Sequence, residues 1–342
     1  MSTARAPRIH QVYVEIDPGH DDDDMYSYET WLSSTAERYR VENGRRFHAY
    51  RDGVYNFPND DREQDRLDMV HQMSSLAIGD ALFCAPMKKD PKRILDIGTG
   101  TGIWAIEAAD RYPEAEVIGN DLSPIQPRWV PPNVHFEVDD VESEWPERPP
   151  FDFIHARYLA GSIADWPLLM QRCYEAVAPG GWVEFGDYEM RYVSDDGTLT
   201  PDNHMKRLAE LLNEGCDAIG RTCSPGPKLE HWMRDAGFVD IGVKVCKLPM
   251  GHWAKDPDYK AIGFFNLMQT TDGLEAFVLG IFTRVLGWKP FEVQVFLAKA
   301  RADLKRKDVH MYLHYWKVWG RRPEMDKARN EEKPLKIVDL CL

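Results

Sequence analysis

At 342 residues the chain can hold one large α/β domain with additions, or two domains. Its 43% hydrophobic content is enough for a sizeable core, and no run comes near the roughly 20 apolar residues that cross a bilayer. A formal net charge of −14 argues against general nucleic-acid binding, which depends on Lys and Arg neutralising phosphates.

The opening MSTARAPRIH has no apolar run, which predicts no secretory leader and a default residence in cytosol or nucleus. Residues 1–45 read as an N-terminal arm, partly disordered around the acid run Asp21–Asp24 and helical around Tyr26–Tyr39. The spacing of Leu67, Val70, Met73, Leu76 and Leu82 predicts a helix over 63–85, and Asp90-Pro91 then breaks the chain.

From Arg93 the pattern alternates. Apolar strands are predicted at Arg93–Ile97, Ala115–Asn120, Val134–Val138, Phe151–His155 and Trp182–Phe185. One helix follows the first strand through Arg111, another covers Asp165–Val177, and Pro179-Gly180-Gly181 forms a turn. Apolar strands separated by helices predict an α/β fold, a doubly wound parallel sheet covered on both faces.

After Asp187, Thr200-Pro201-Asp202 reads as a helix start, followed by the buried stripe Met205, Leu208, Leu211 and Leu212. A short helix over Lys228–Ala236 ends at Gly237, and strands are predicted at Asp240–Leu248 and Val309–Trp319. Between these two strands lie about sixty residues of helical periodicity, far more than a hairpin needs. They are rich in aromatics (Trp253, Tyr259, Phe264, Phe265, Phe277, Phe282, Trp288, Phe291 and Phe296) and read as a helical cap. The expected units are an arm (1–45), a cofactor-binding core (46–190), a C-terminal part of the sheet with the cap (191–320) and a tail (321–342). Six cysteines form no C-x-x-C pair and no zinc spacing, so reduced thiols in or near the core are expected. Lys305-Arg306-Lys307, with Asp303 and Asp308 beside it, reads as a solvated helix face.

The chemistry concentrates in Leu95-Asp96-Ile97-Gly98-Thr99-Gly100-Thr101-Gly102, which follows a strand and opens a helix. Glycines there let a ligand approach the backbone. The spacing is G-x-G-x-G, and the third glycine of a dinucleotide fingerprint would fall at Ile103, which disfavours a nicotinamide oxidoreductase. S-adenosyl-L-methionine has no phosphate and tolerates a looser loop. Asp96 is placed to meet its amino group, directly or through water. Asp121, at the tip of the second strand, is placed for the ribose hydroxyls. Asp140-Val141, after the third strand, is placed for adenine, with Asp139 as a rival acceptor.

The segment Arg93–Phe185 resembles the class I methyltransferases, and the chain is more narrowly similar to the fungal LaeA-like methyltransferases of secondary metabolism. The matching stretches are YNFPNDDREQDRLDMVH at 55–71, RILDIGTGTGIWA at 93–105, VIGNDLSPIQPRWVPPNV at 117–134, FDFIHAR at 151–157 and PGGWVE at 179–184, within coverage of about Glu42 to Trp319. That resemblance implies a Rossmann-like seven-stranded sheet of order 3-2-1-4-5-7-6 with strand seven antiparallel. It implies S-adenosyl-L-methionine as cofactor, held by Asp96, Gly98, Gly100, Asp121, Leu122, Asp140 and Val141. Thr99 and Gly102 belong to the same loop. It also makes His155–Arg157 pocket-lining. Asn120 departs from the apolar residue expected within strand two.

Methyl transfer is an in-line displacement that needs alignment above all, and a hydroxyl or carbon acceptor gains from a base. His155 leads the candidates, with Asp187, Tyr188 and His204 behind it and His252 weaker; the alternative for His155 is a pocket wall. Arg157 either contacts substrate or pairs with Asp152 or Glu184. Arg66 and His71, on the helix before the first strand, either fold over the cofactor carboxylate or lie on a solvated face. The aromatic insertion suggests a partly apolar acceptor cavity. The expected function is methylation of a small-molecule acceptor at O or N. The alternatives are a protein methyltransferase and a LaeA-like regulator working through protein partners. No nucleic acid, membrane or metal is expected.

Overall fold

The protein is described by a computed structural model over residues 40–42, 45–47 and 59–324. The acid run Asp21–Asp24, the helix expected around Tyr26–Tyr39 and most of the expected tail lie outside the described residues. A two-stranded ribbon of β1 (Arg40–Glu42) and β2 (Arg45–Phe47) comes first. Helix α1 (Asp61–Ala77) follows, its first turn capped by Asp60, whose side chain accepts from the Glu63 amide.

Alternation then builds the sheet. In chain order come β3 (Arg93–Ile97), α2 (Ile103–Arg111), β4 (Glu116–Asp121), β5 (Val134–Val138), β6 (Phe151–Arg157), α3 (Trp166–Ala176) and β7 (Val177–Val193). Next are α4 (His204–Ala218), α5 (Leu229–Asp235), β8 (Val239–Pro249), α6 (Pro257–Gly280), a π-helical stretch (Ile281–Val285), α7 (Pro290–Leu304) and β9 (Tyr312–Arg321). The strands lie in the order β5-β4-β3-β6-β7-β9-β8, with β9 antiparallel to both neighbours. Counted from β3, this is the expected order 3-2-1-4-5-7-6. The chain reverses direction across the sheet between β3 and β6, so a crevice opens at the carboxyl ends of these strands.

Ile94, Leu95 and Ile97 on β3 are all buried, as a parallel strand covered on both faces requires. Trp104, Ala105 and Ala108 of α2 pack on one face with Phe153 and Val117. On the other face Leu169, Met170 and Cys173 of α3 join Leu229 and Met233 of α5. A separate apolar cluster lies under the insertion, where α4, α6 and α7 meet. Each fully buried side chain of this size contributes about 1.5–3 kcal/mol.

Several boundaries differ from the sequence reading, three of them for local reasons. Helix α1 stops at Ala77, because Gly79 and Asp80 both take positive φ and the Asp80 amide bonds back to the Ser75 carbonyl. Helix α4 is capped by Asn203, whose side chain accepts from the amides of Met205 and Lys206, rather than by Thr200. The predicted turn at Pro179-Gly180-Gly181 is a bulge inside a longer strand. Phe151 pairs with Val177 and Phe153 with Trp182, and the extra residues bond to Arg322 just past β9.

Candidate active site

Two glycines of the loop after β3 are required by the packing around them. Gly98 has φ +64, and a Cβ there would lie 2.7 Å from the Leu159 side chain. Gly102, at φ +80, caps α2 with its bare Cα against the Phe136 ring, where a Cβ would stand at 2.5 Å. Asp121 ties the loop to the tip of β4. One carboxylate oxygen accepts from the Gly100 amide and the other from the Ser123 amide, both at 2.9 Å. Asp140 accepts from the Glu142 amide at 2.9 Å and fixes the turn after β5.

These elements enclose a cavity of about 910 Å³ at the topological switch point. Of the expected cofactor residues, Gly98, Gly100, Asp121, Leu122, Asp140 and Val141 line it. So do Asn59, Glu63, Tyr158 and Leu159, which sequence reasoning missed. Tyr158 stands at φ +60, a left-handed position rare for an aromatic residue. Its amide donates to the Gly186 carbonyl, so the chain turns sharply off β6 into the cavity wall. The charge of the wall is one-sided: Glu63, Asp121, Asp139, Asp140 and Glu142 face a single guanidinium, Arg157.

The remaining loop residues lie behind this wall. Asp96 is buried and lies behind the lining of both large cavities. One of its oxygens accepts from the Thr99 hydroxyl and the other meets His155 Nδ1, both at 2.7 Å. Burial pushes the Asp96 carboxyl up to about 7 and holds the His155 imidazole well below its usual value. The His155 ring is fully buried and stacks on Trp104 at 3.8 Å. Its expected position beside an acceptor is therefore corrected: an Asp96–His155–Trp104 stack braces β3 against β6. Thr99 and Gly102 shape the loop from behind.

Two other expected bases sit elsewhere. Asp187 is buried and accepts from the amides of Leu159 (2.8 Å) and Tyr188 (2.9 Å), with burial raising its carboxyl to about 8. It pins the chain after Tyr158 and lines neither large cavity. His204 begins α4 with Nδ1 2.9 Å from Asp303 and its ring edge-on to Phe296, again in neither cavity. His252 is exposed after β8. Arg157 pairs with neither Asp152 nor Glu184. Its guanidinium meets His71 Nδ1 at 2.7 Å, and His71 Nε2 reaches Glu107 at 3.1 Å. Glu184 is instead held by Lys317 at 2.5 Å and by the amides of Cys84 and Ala85.

A second cavity, of about 1030 Å³, adjoins the first, and Leu67 and Tyr158 line both. Its wall is mostly apolar, drawn from α1, α4, α6 and β7, and includes Tyr188, Met190, Leu208, Leu212 and Leu274. Arg66 lines this cavity rather than the first, which corrects its expected place over the cofactor. Its guanidinium bonds to Glu63 (2.7 Å) and Gln269 (3.0 Å) and lies over the Phe277 ring. Of the insertion's nine expected aromatics, Phe277 alone reaches the cavity wall. Phe282, Trp288 and Phe296 pack on one another as core instead. A periodicity argument could have marked Glu63 and Arg66 as buried positions of α1; nothing in the sequence marks Tyr158.

Residues 69–243 match the sequence family described as "Methyltransferase domain". Among curated relatives, "Methyltransferase pytC" of Aspergillus terreus is 47% identical over 91% of this chain and 96% of its own length. "Secondary metabolism regulator LAE1" of Cochliobolus heterostrophus is 38% identical over 83% and 95%. "Protein-methionine methyltransferase laeA" of Emericella nidulans is 32% identical over 84% and 78%. Among solved structures, Haemonchus contortus phosphoethanolamine N-methyltransferase 2 with S-adenosylhomocysteine matches at 20% identity and a TM-score of 0.41, over 76% of this chain and 52% of its own. That likeness is too low to add to the fold already described.

Proposed function

The chain belongs to the methyltransferase-domain family, and on that premise we propose that it moves a methyl group from S-adenosyl-L-methionine to an O or N atom of a small-molecule acceptor. The observation that carries this reading is the pair of adjoining cavities, one acidic and glycine-floored, the other apolar, with Leu67 and Tyr158 common to both. An acidic wall suits a cationic sulfonium nucleoside and would repel a pyrophosphate. The cofactor supplies an already activated methyl group.

The protein's own part is alignment. Asp121 serves the ribose, Asp140 and Val141 hold the adenine, and Gly98 and Gly100 give the loop its close approach. Asp96, Thr99 and His155 keep that loop in place from behind, and Asp187 does the same for Tyr158 and Leu159. Holding acceptor and methyl at reacting distance supplies several of the roughly 7–11 kcal/mol available to oriented reactants.

The test is calorimetry with the cofactor, then transfer of a labelled methyl from it into organic-extractable products. No detectable cofactor binding would refute the proposal. A second reading, transfer to protein or regulation through protein partners, draws on the relatives named as regulators and as a protein-methionine methyltransferase. Label retained on protein rather than in the extract would favour it.

A further inference from the structure

We propose that the apolar cavity selects an elongated acceptor with an ionisable O–H group (an enol, phenol or carboxylic acid) and that Arg66 holds its oxygen anion at the border with the cofactor cavity. The inference rests on the methyl-transfer reading and narrows its acceptor.

One turn of α1 spans the border between the two cavities. Glu63 lines the first cavity, Arg66 the second, and Leu67 both. Arg66 is held in place from two sides, by Glu63 on its own helix and by Gln269 on α6. With a cationic cofactor bound, Glu63 would offer its carboxylate on the cofactor side of this border and Arg66 its guanidinium on the acceptor side, leaving the acceptor oxygen free to meet the methyl group directly. Both contacts are attractive, and in a partly dry cavity they are worth more than in water. An amine acceptor would develop positive charge beside the guanidinium, which works against it.

Proton bookkeeping agrees. Among the described residues no His, Asp, Glu or Lys lines the apolar cavity. Burial holds the hydroxyls of Tyr158 and Tyr192 above their ordinary range, so neither readily becomes a base. Cys216 and Cys223 also line the cavity but are hydrogen-bonded to each other, and the neighbouring Gly215 abuts Ile281. Ile281 lies roughly 18 Å along the helix from Gln269, at about 1.5 Å per residue. An acceptor that is already ionised in water asks nothing of this wall, which favours acidic O–H groups over aliphatic alcohols. In the transfer, an oxygen lone pair forms the C–O bond while the methyl–sulfur bond breaks and leaves its electrons on sulfur. Sulfonium and oxyanion become a neutral thioether and a neutral ether or ester. The path from Gln269 to Ile281, walled by Leu208, Leu212 and Leu274, sets the length of the apolar body.

The test uses the full chain saturated with S-adenosylhomocysteine, so that binding is read without turnover. Four ligands of matched chain length are compared by calorimetry: a fatty acid, an alkyl-substituted 4-hydroxy-2-pyranone enol, a fatty alcohol and a fatty amine. The acid and enol should bind at least about tenfold more tightly than the alcohol and amine. The bound enol should absorb as its anion at a pH below its free pKa. Arg66→Met should remove about tenfold or more of the acid's affinity and Arg66→Lys should restore part of it; S-adenosylhomocysteine affinity, measured alongside, reports whether each variant has folded. Equal affinity for acid and alcohol, preference for the amine, or no acid binding while S-adenosylhomocysteine binds would each overturn the proposal. The last outcomes leave methyl transfer itself standing. That reading fails separately, if S-adenosylhomocysteine and S-adenosyl-L-methionine do not bind at all.

Discussion

The two cavities share Leu67 and Tyr158 but are built in opposite ways. The first is floored by backbone turns at the tips of β3, β4 and β5, which are close in sequence and are stiffened by Asp96, Asp121 and Asp140. The second is a gap between α1, α4, α6 and β7, and Arg66 meets Gln269 across 203 residues of sequence. A site made of turns tolerates little change in a few atoms. A site made of packed helices tolerates many changes of shape, and its ligand can differ between relatives while the first cavity stays the same.

The contrast can be broken by substitution. The largest effect is expected from Lys317→Met beneath the polar side, which strands the buried Glu184 carboxylate and should cost about 3–5 kcal/mol in denaturant unfolding. Leu274→Ala on the apolar side should cost a comparable 2–5 kcal/mol by leaving a cavity, yet S-adenosyl-L-methionine affinity should hold. If it falls as far as stability does, the two cavities are not separate units. Asp121→Ala should weaken cofactor binding by at least about 1 kcal/mol, since it also frees the Gly100 and Ser123 amides; unchanged affinity by calorimetry would remove it from the ribose role.

His155→Asn sharpens the comparison further. A general base would cost about 10²–10⁴-fold in rate on removal. Because His155 is walled off behind Asp96 and Trp104, single-turnover rates at saturating cofactor should fall less than about tenfold, while thermal stability drops.

A further expected effect is a pH slope. Asp96 and Asp187 carry pKa values raised to about 7 and about 8 in the fold, against about 3.9 in an unfolded chain. The folded state keeps its protons to higher pH, so their contribution is fully present below about pH 4 and lost as pH rises through 7 to 8. Their contribution to the thermal midpoint should therefore decline from about pH 4 to about pH 8 and level off above it, and Asp187→Asn should flatten part of that decline.

This difference in construction also explains what could be read in advance. The glycine spacing, Asp121 at a strand tip and Asp140-Val141 one strand further on are local signals, and the chain places them around one cavity. Sheet order followed from the family resemblance, and the doubly wound α/β class from apolar strands alternating with helices. Arg66, Asp187 and His204 were misplaced because a side chain's direction depends on packing between distant elements. Arg66 turns to Gln269, Asp187 turns back onto the amide of Leu159, and His204 finds Asp303 on α7. The insertion's aromatics misled for a simpler reason: large rings fill cores as readily as they line binding sites, and Phe282, Trp288 and Phe296 chose each other.

Strand β9 has a consequence for biosynthesis. It slots between β7 and β8 after the whole insertion has been made, so during translation the sheet stays split until residue 321 clears the ribosome. A nascent chain halted before Tyr312 would already own its glycine turn but would expose the inner edges of β7 and β8, an open invitation to strand pairing with other chains. Quality control of this protein thus turns on the last described strand to emerge, and a nonsense mutation just before β9 would yield aggregation rather than a smaller working enzyme.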